Sequence, residues 1–137
     1  MQPADPRSRP SRGVGELLVT GGTGFVGHAL ASALGAQKIR FRALVRTHSD
    51  RDRLSGSGAW MVDGDLTRPE TLEAPLSGVR TLIHLAALVG DSDPARNRQV
   101  NERGTENLLL AARSAGVERF IHVSSDSVLR ARRSPYA

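Results

Sequence analysis

A short apolar run, ELLVT at Glu16–Thr20, passes directly into GGTGFVGHAL, a glycine-rich turn followed by residues of helical character. Thr20-Gly21-x-x-Gly24-x-x-Gly27 places glycine at three points, and each point has a separate physical demand. One residue must turn the chain sharply, one must let backbone approach a ligand without a Cβ, and one must let the helix pack on the strand. A helix that opens on such a loop points its unpaired amides and the positive end of its dipole at whatever lies in front of it. With 14 glycines in 137 residues, some glycine pattern will occur by chance. The context is what carries weight here, because the loop lies between a strand and a helix in the first βαβ unit. Gly21, Gly24, Phe25, Val26 and Gly27 are therefore candidate contacts for the pyrophosphate of a dinucleotide.

The rest of the chain alternates short apolar runs with helical stretches, the pattern of a parallel sheet. Strands are predicted at Glu16–Thr20, Ile39–Arg46, around AWMVDGDL ending near Asp63, at Thr81–Ala87 and at Arg119–Ser125. A helix is predicted over Gly24–Ala36 and a long one over Pro94–Ala115, stopped by Gly116. TRPETLEAPL is expected to open another, with Thr67 and Glu70 forming a capping box and Pro69 in the first turn. The fold class is α/β, a Rossmann-like doubly wound parallel sheet of order 3-2-1-4-5. Residues 1–13, rich in Pro, Arg and Ser, are expected to form a basic tail, and residues 14–137 a single dinucleotide-binding domain.

The second strand should deliver an acid about 20 residues beyond the last glycine if the ligand is NAD, to accept from the ribose hydroxyls. Arg46 stands there instead. A guanidinium fork suits a 2′-phosphate, so NADP is favoured, with NAD as the alternative because Asp50 and Asp52 follow in the next loop.

Charge excludes other classes. The net charge of +5 collects at the ends, in Arg7, Arg9 and Arg12 against Asp5, and in Arg130, Arg132 and Arg133, while the interior is neutral. With no basic stripe interleaved with aromatics, nucleic acid is not an expected partner. The absence of cysteine removes disulfides and thiol chemistry. No apolar run reaches the roughly 20 residues of a membrane span, and the start lacks a secretory h-region, so a cytoplasmic protein without membrane contacts is expected. His28, His48, His84 and His122 lack ligand spacing and read as surface or packed residues, with no metal site.

TGGTGFVG, DGDL, HLAA, VNERGTENLLLAA and HVSS occur in the order and spacing of a known family. From Glu16 to Ala137 the chain resembles the N-terminal part of an extended or atypical short-chain dehydrogenase/reductase, of the NAD-dependent epimerase/dehydratase and 3β-hydroxysteroid dehydrogenase kind. The resemblance implies that Asp65 and Leu66 contact the adenine, that Ala86 and Ala87 lie along the cofactor, and that Asn101 lies under the active site. It implies that Ser124 borders the nicotinamide, that Ser125 orients the substrate oxygen, and that Tyr136 is the acid/base of a Tyr-x-x-x-Lys motif. It further implies a small-molecule substrate, a homodimer as one assembly, and a fold that continues into later strands and a substrate lobe. No lysine follows Lys38, so the chain by itself is expected to turn over little. Val128-Leu129-Arg130 replaces the usual Val-Tyr-Gly and the spacing from Ser125 to Tyr136 is short. Both departures draw the chain toward atypical reductases, or toward a non-catalytic NADP-sensing regulatory or structural protein of the same fold.

Overall fold

The computed structural model describes residues 16–90 and 92–125. The expected basic tail and Tyr136 lie outside the described residues. Five parallel strands form one sheet, β1 (Leu17–Thr20), β2 (Phe41–Val45), β3 (Ala59–Asp63), β4 (Thr81–His84) and β5 (Arg119–His122), in the order β3-β2-β1-β4-β5. This is the expected doubly wound order. Leu18 sits opposite Arg42 and Leu82, so β1 is paired on both sides. The sheet order reverses between β1 and its neighbours, and a ligand cleft belongs outside the carboxyl ends of the strands at such a point.

Each face of the sheet has its own core. Leu18, Leu44 and Leu82 meet Leu66, Leu72, Leu76 and Leu108 on one face, and Val19, Phe41, Ala43 and Val45 meet Ala31 and Leu54 on the other. Strand residues alternate between the two, as a period of two requires. The second face is covered by α1 (Phe25–Ala36), the first by α2 (Glu73–Leu76) and α4 (Gly104–Ser114).

Helix ends account for two shifted boundaries. β2 begins at Phe41, two residues later than expected, because Ile39 is tied into the end of α1: its amide bonds Leu34 O (2.9 Å) while Lys38 N bonds Gly35 O (2.9 Å). This is a Schellman closure with Lys38 in the left-handed position (φ 58°) that glycine usually fills. Gly116 (φ 77°) closes α4 in the same way, with Val117 N on Ala112 O. The strands β4 and β5 end at His84 and His122, their last paired positions, and beyond β4 the chain leaves the sheet for the cleft.

The capping box at Thr67 does not form. Thr67 N and Oγ1 both bond Asp65 Oδ1 (2.9 and 2.8 Å), and Glu70 pairs with Arg68. A local Asx turn thus takes the hydroxyl that would have capped a helix. Pro69 does occupy the first turn, but of a 3₁₀ helix over Pro69–Thr71, and α2 is only four residues long. Pro75 within it donates no amide.

The long helix is also not uniform. Asp93 caps α3 (Pro94–Asn97) by accepting from Ala95 N (2.9 Å), and a six-residue π-helical segment, Arg98–Arg103, joins it to α4. No helix among the described residues is long and apolar enough to cross a membrane.

Candidate dinucleotide cleft

Gly21 leaves β1 with φ 73°, and a Cβ there would sit 2.6 Å from Ala86 N. In α1, a Cβ on Gly27 would lie 1.9 Å from Gly21 O. Strand end, loop and helix are therefore in backbone contact, and only glycine fits at either position. Gly24 is extended (φ −76°, ψ 179°) at the start of α1 and offers no side-chain cap. The amides of the first turn are left for a ligand, which is what an anion site at a helix start requires. Phe25 is 90% exposed and Val26 is exposed beside it.

In front of this loop lies a cleft of about 410 Å³, within the range of small-molecule sites. Gly21, Gly24, Arg46, Asp65, Leu66, Ala86 and Ala87 all line it, so residues spread over 67 positions of sequence converge on one hollow. Arg46 is exposed and forms no ion pair with the described residues; neither Asp50 nor Asp52 reaches the cleft, whereas Ser49 does. A neighbouring hollow of about 450 Å³ shares Arg46, Gly64 and Asp65 and adds Thr47, His48 and Arg68. Ser124 and Ser125 are exposed just past β5, outside the lining of either hollow. These features fit a dinucleotide: two glycines whose Cβ would close the cradle, open amides, and a guanidinium at the rim.

The far wall is built by hydrogen bonds. Asn101, in the π segment, accepts from Leu88 N through Oδ1 (2.7 Å) and donates to Leu88 O through Nδ2 (2.9 Å). Asn107 Nδ2 donates to Leu66 O (2.8 Å), and Gly104 packs so closely that a Cβ would touch Leu66 Cβ at 3.0 Å. Beneath the cleft His84 is 1% exposed between Thr20 and Thr105. Burial, with the His122 ring stacked alongside at 5.3 Å, pushes its pKa down to about 4.

Sequence reasoning missed Thr20, Thr105 and Asn107 as builders of the site, and Thr23, Arg96 and Gln99 as lining. A signal was present. Asn101, Thr105, Leu108 and Ala112 follow each other at spacings of four, three and four, one inward stripe whose first two members are polar.

The NAD dependent epimerase/dehydratase family model matches residues 17–134. Over 113 residues the chain is 41% identical to a 4-hydroxy-2-methyl-3-oxo-4-farnesyl-3,4-dihydroquinoline-1-oxide ketoreductase of Stigmatella aurantiaca, covering 82% of this chain and 34% of that protein. It is 36% identical over 127 residues to a 3β-hydroxysteroid dehydrogenase/Δ5→4-isomerase of Mycobacterium tuberculosis, covering 85% and 33%. A short-chain dehydrogenase/reductase superfamily protein from Agrobacterium tumefaciens, crystallised with bound NAD, superposes with a TM-score of 0.70 at 36% identity, covering 87% of this chain and 35% of that one. The chain thus spans about a third of the length of these proteins.

Proposed function

The chain belongs to the NAD-dependent epimerase/dehydratase family, an NAD(P)-dependent group within the short-chain dehydrogenases/reductases, and on that premise we propose that its cleft takes the adenosine and pyrophosphate half of NADP. The observation that carries this reading is the cradle itself: Gly21 and Gly27 in backbone contact, with open amides at the start of α1. In it, the amides of Phe25 and Val26 hold the pyrophosphate, while Gly24, whose own amide bonds Gly21 O (3.0 Å), lets the backbone come close. Asp65 receives the adenine amine on Oδ2, since Oδ1 is committed to Thr67, and Leu66 packs on the ring. Arg46 pairs with the 2′-phosphate, supported by the cleft-lining position it alone holds among Arg46, Asp50 and Asp52.

Ala86 and Ala87 carry the chain along the cofactor toward Ser124, which borders the nicotinamide. In the whole protein Ser125 orients the substrate oxygen and Tyr136 gives or takes its proton, the cofactor supplying a hydride acceptor or donor. The substrate is a small molecule with a carbinol or carbonyl carbon, as the ketoreductase and hydroxysteroid dehydrogenase relatives suggest.

Calorimetric titration with NADP and NAD tests the cofactor arm. NADP should bind more tightly, and Arg46→Ser should weaken it by about tenfold or more while leaving NAD nearly unchanged, the cost of losing one charged pair. Binding of neither nucleotide would overturn the reading, and a wild-type preference for NAD would remove the role of Arg46. The replaced Val-Tyr-Gly motif favours a second reading, a non-catalytic NADP sensor. Tyr136→Phe in the whole protein separates the two: lost turnover with retained nucleotide binding supports the enzyme, and a wild-type protein without turnover supports the sensor.

A further inference from the structure

Four polar contacts under the cleft form a chain with a single allowed direction. Ala86 N donates to Thr20 Oγ1 (3.3 Å), Thr20 Oγ1 lies 2.6 Å from His84 Nδ1, His84 Nε2 lies 2.9 Å from Thr105 Oγ1, and Thr105 Oγ1 donates to Asn101 O (2.7 Å). Each hydroxyl has one proton. Thr105 spends its proton on Asn101 O, so it must accept from His84, which places the imidazole proton on Nε2. Nδ1 is then bare and accepts from Thr20, whose lone pairs take Ala86 N–H. The opposite tautomer would turn the Thr105 proton from Asn101 O to Nε2 and leave the hydroxyl proton of Thr20, a 1% exposed residue, without an acceptor in the chain.

Two more contacts close a ring. Asn101, whose carbonyl ends the relay, clasps Leu88 with its carboxamide, and Leu88 lies two residues from Ala86, where the relay begins. Both ends of one short cleft-lining segment are thereby tied, through β1, β4, α4 and the π segment, to each other.

We propose that His84 is a positioning residue: fixed as the neutral Nε2–H tautomer, it locks Thr20 and Thr105 into one hydrogen-bond direction and so holds the Ala86–Leu88 wall against the glycine loop for cofactor binding. The binding part of this inference rests on the cofactor reading above; the relay does not. No hydrogen bond joins Thr20 to Thr105 directly, and the imidazole bonds both, so coupling between their hydroxyls is expected to run through it.

Three measurements on the protein decide it. Imidazole ¹⁵N spectra, free of nucleotide, should show His84 with Nδ1 unprotonated and Nε2 protonated; the reverse pattern overturns the relay. Thr20→Val and Thr105→Val, each keeping shape and losing a hydroxyl, should each weaken binding of NADP or NAD and speed amide exchange at Leu88 by about tenfold. The double variant should be little worse than the more affected single one, because a relay broken once is already released. Losses that multiply would overturn the proposal. His84→Gln, which keeps an amide in reach, should retain more Leu88 protection than His84→Leu; equal loss in both would count against a directed role. If the wild-type protein binds no nucleotide, the cofactor reading falls, while tautomer and Leu88 exchange still decide the relay.

Discussion

Gly21 and Gly27 hold the phosphate-side wall of the cleft by having no side chains, whereas Asn101, Thr105 and Asn107 hold the opposite wall by donating and accepting hydrogen bonds. The first wall is a contact between backbones, so it tolerates no added atom. The second is assembled from single bonds, each worth about 0.5–1.5 kcal/mol net, and it can lose them one at a time. The sharpest way to break this contrast is Gly27→Ala. A methyl 1.9 Å from Gly21 O cannot be accommodated without moving the strand end or the helix. A loss of about 3 kcal/mol or more in urea unfolding is expected, with nucleotide binding abolished. A fully stable variant would mean the loop and helix are less tightly joined than the structure has them.

The hydrogen-bonded wall has its own large effect, and it depends on pH. His84, packed between Thr20 and Thr105 with His122 stacked against it from β5 and Phe120 edge-on, titrates near 4, below the free imidazole value of about 6.5. Between those values the unfolded chain binds a proton that the folded protein refuses. The stability contributed is therefore full above pH 6.5 and is lost as pH falls toward about 4. The loss amounts to about 3 kcal/mol at most, with no further contribution below the folded value. Urea midpoints of the wild type and His84→Gln, compared from pH 7 to 4, should converge as acid is added; parallel curves would remove the assignment.

The two walls also differed in how far they could be read from sequence. The glycine loop and the left-handed helix end at Gly116 were legible because each answers a local backbone demand. Arg46 was placed at the strand end by counting from Gly27, and the sheet order followed from alternation. His84 and Thr20 stand 64 positions apart and His84 and Thr105 stand 21 apart, so no local pattern joins them. The π segment leaves no mark in composition, since it is a change of hydrogen-bond register, and such segments recur at functional sites. At Thr67 the local signal misled, because Asp65 two residues earlier offered its hydroxyl a nearer partner.

A smaller effect sharpens the comparison from within the second wall. Asn107→Ala removes the donor to Leu66 O and leaves that carbonyl, next to a 7% exposed side chain, short of a partner. About 1–2 kcal/mol should be lost, with weakening of nucleotide binding confined to the adenine half, so that affinity for AMP falls as much as affinity for the dinucleotide. Loss of dinucleotide affinity with AMP unaffected would place the effect elsewhere.

The smallest effect is expected at the opposite edge of the sheet, where the strands begin. Arg80 pairs with Glu118 at 2.9 Å and reaches Glu16 at 3.7 Å, linking the starts of β1, β4 and β5. The hydrogen bond and charge of Glu118 raise the pKa of Arg80, and Arg80 in turn lowers that of Glu118. Yet the groups are solvated, and a pair held in water exchanges one set of favourable contacts for another. Backbone bonds do the joining there, Glu118 N and Arg119 N both meeting Arg80 O and Arg80 N and Thr81 N both meeting Glu16 O. Glu118→Gln should leave the melting temperature within experimental error and be insensitive to salt. A clear loss would show that the strand starts, like the second wall of the cleft, depend on side-chain bonds; no loss leaves the side-chain architecture concentrated where the cofactor is proposed to lie.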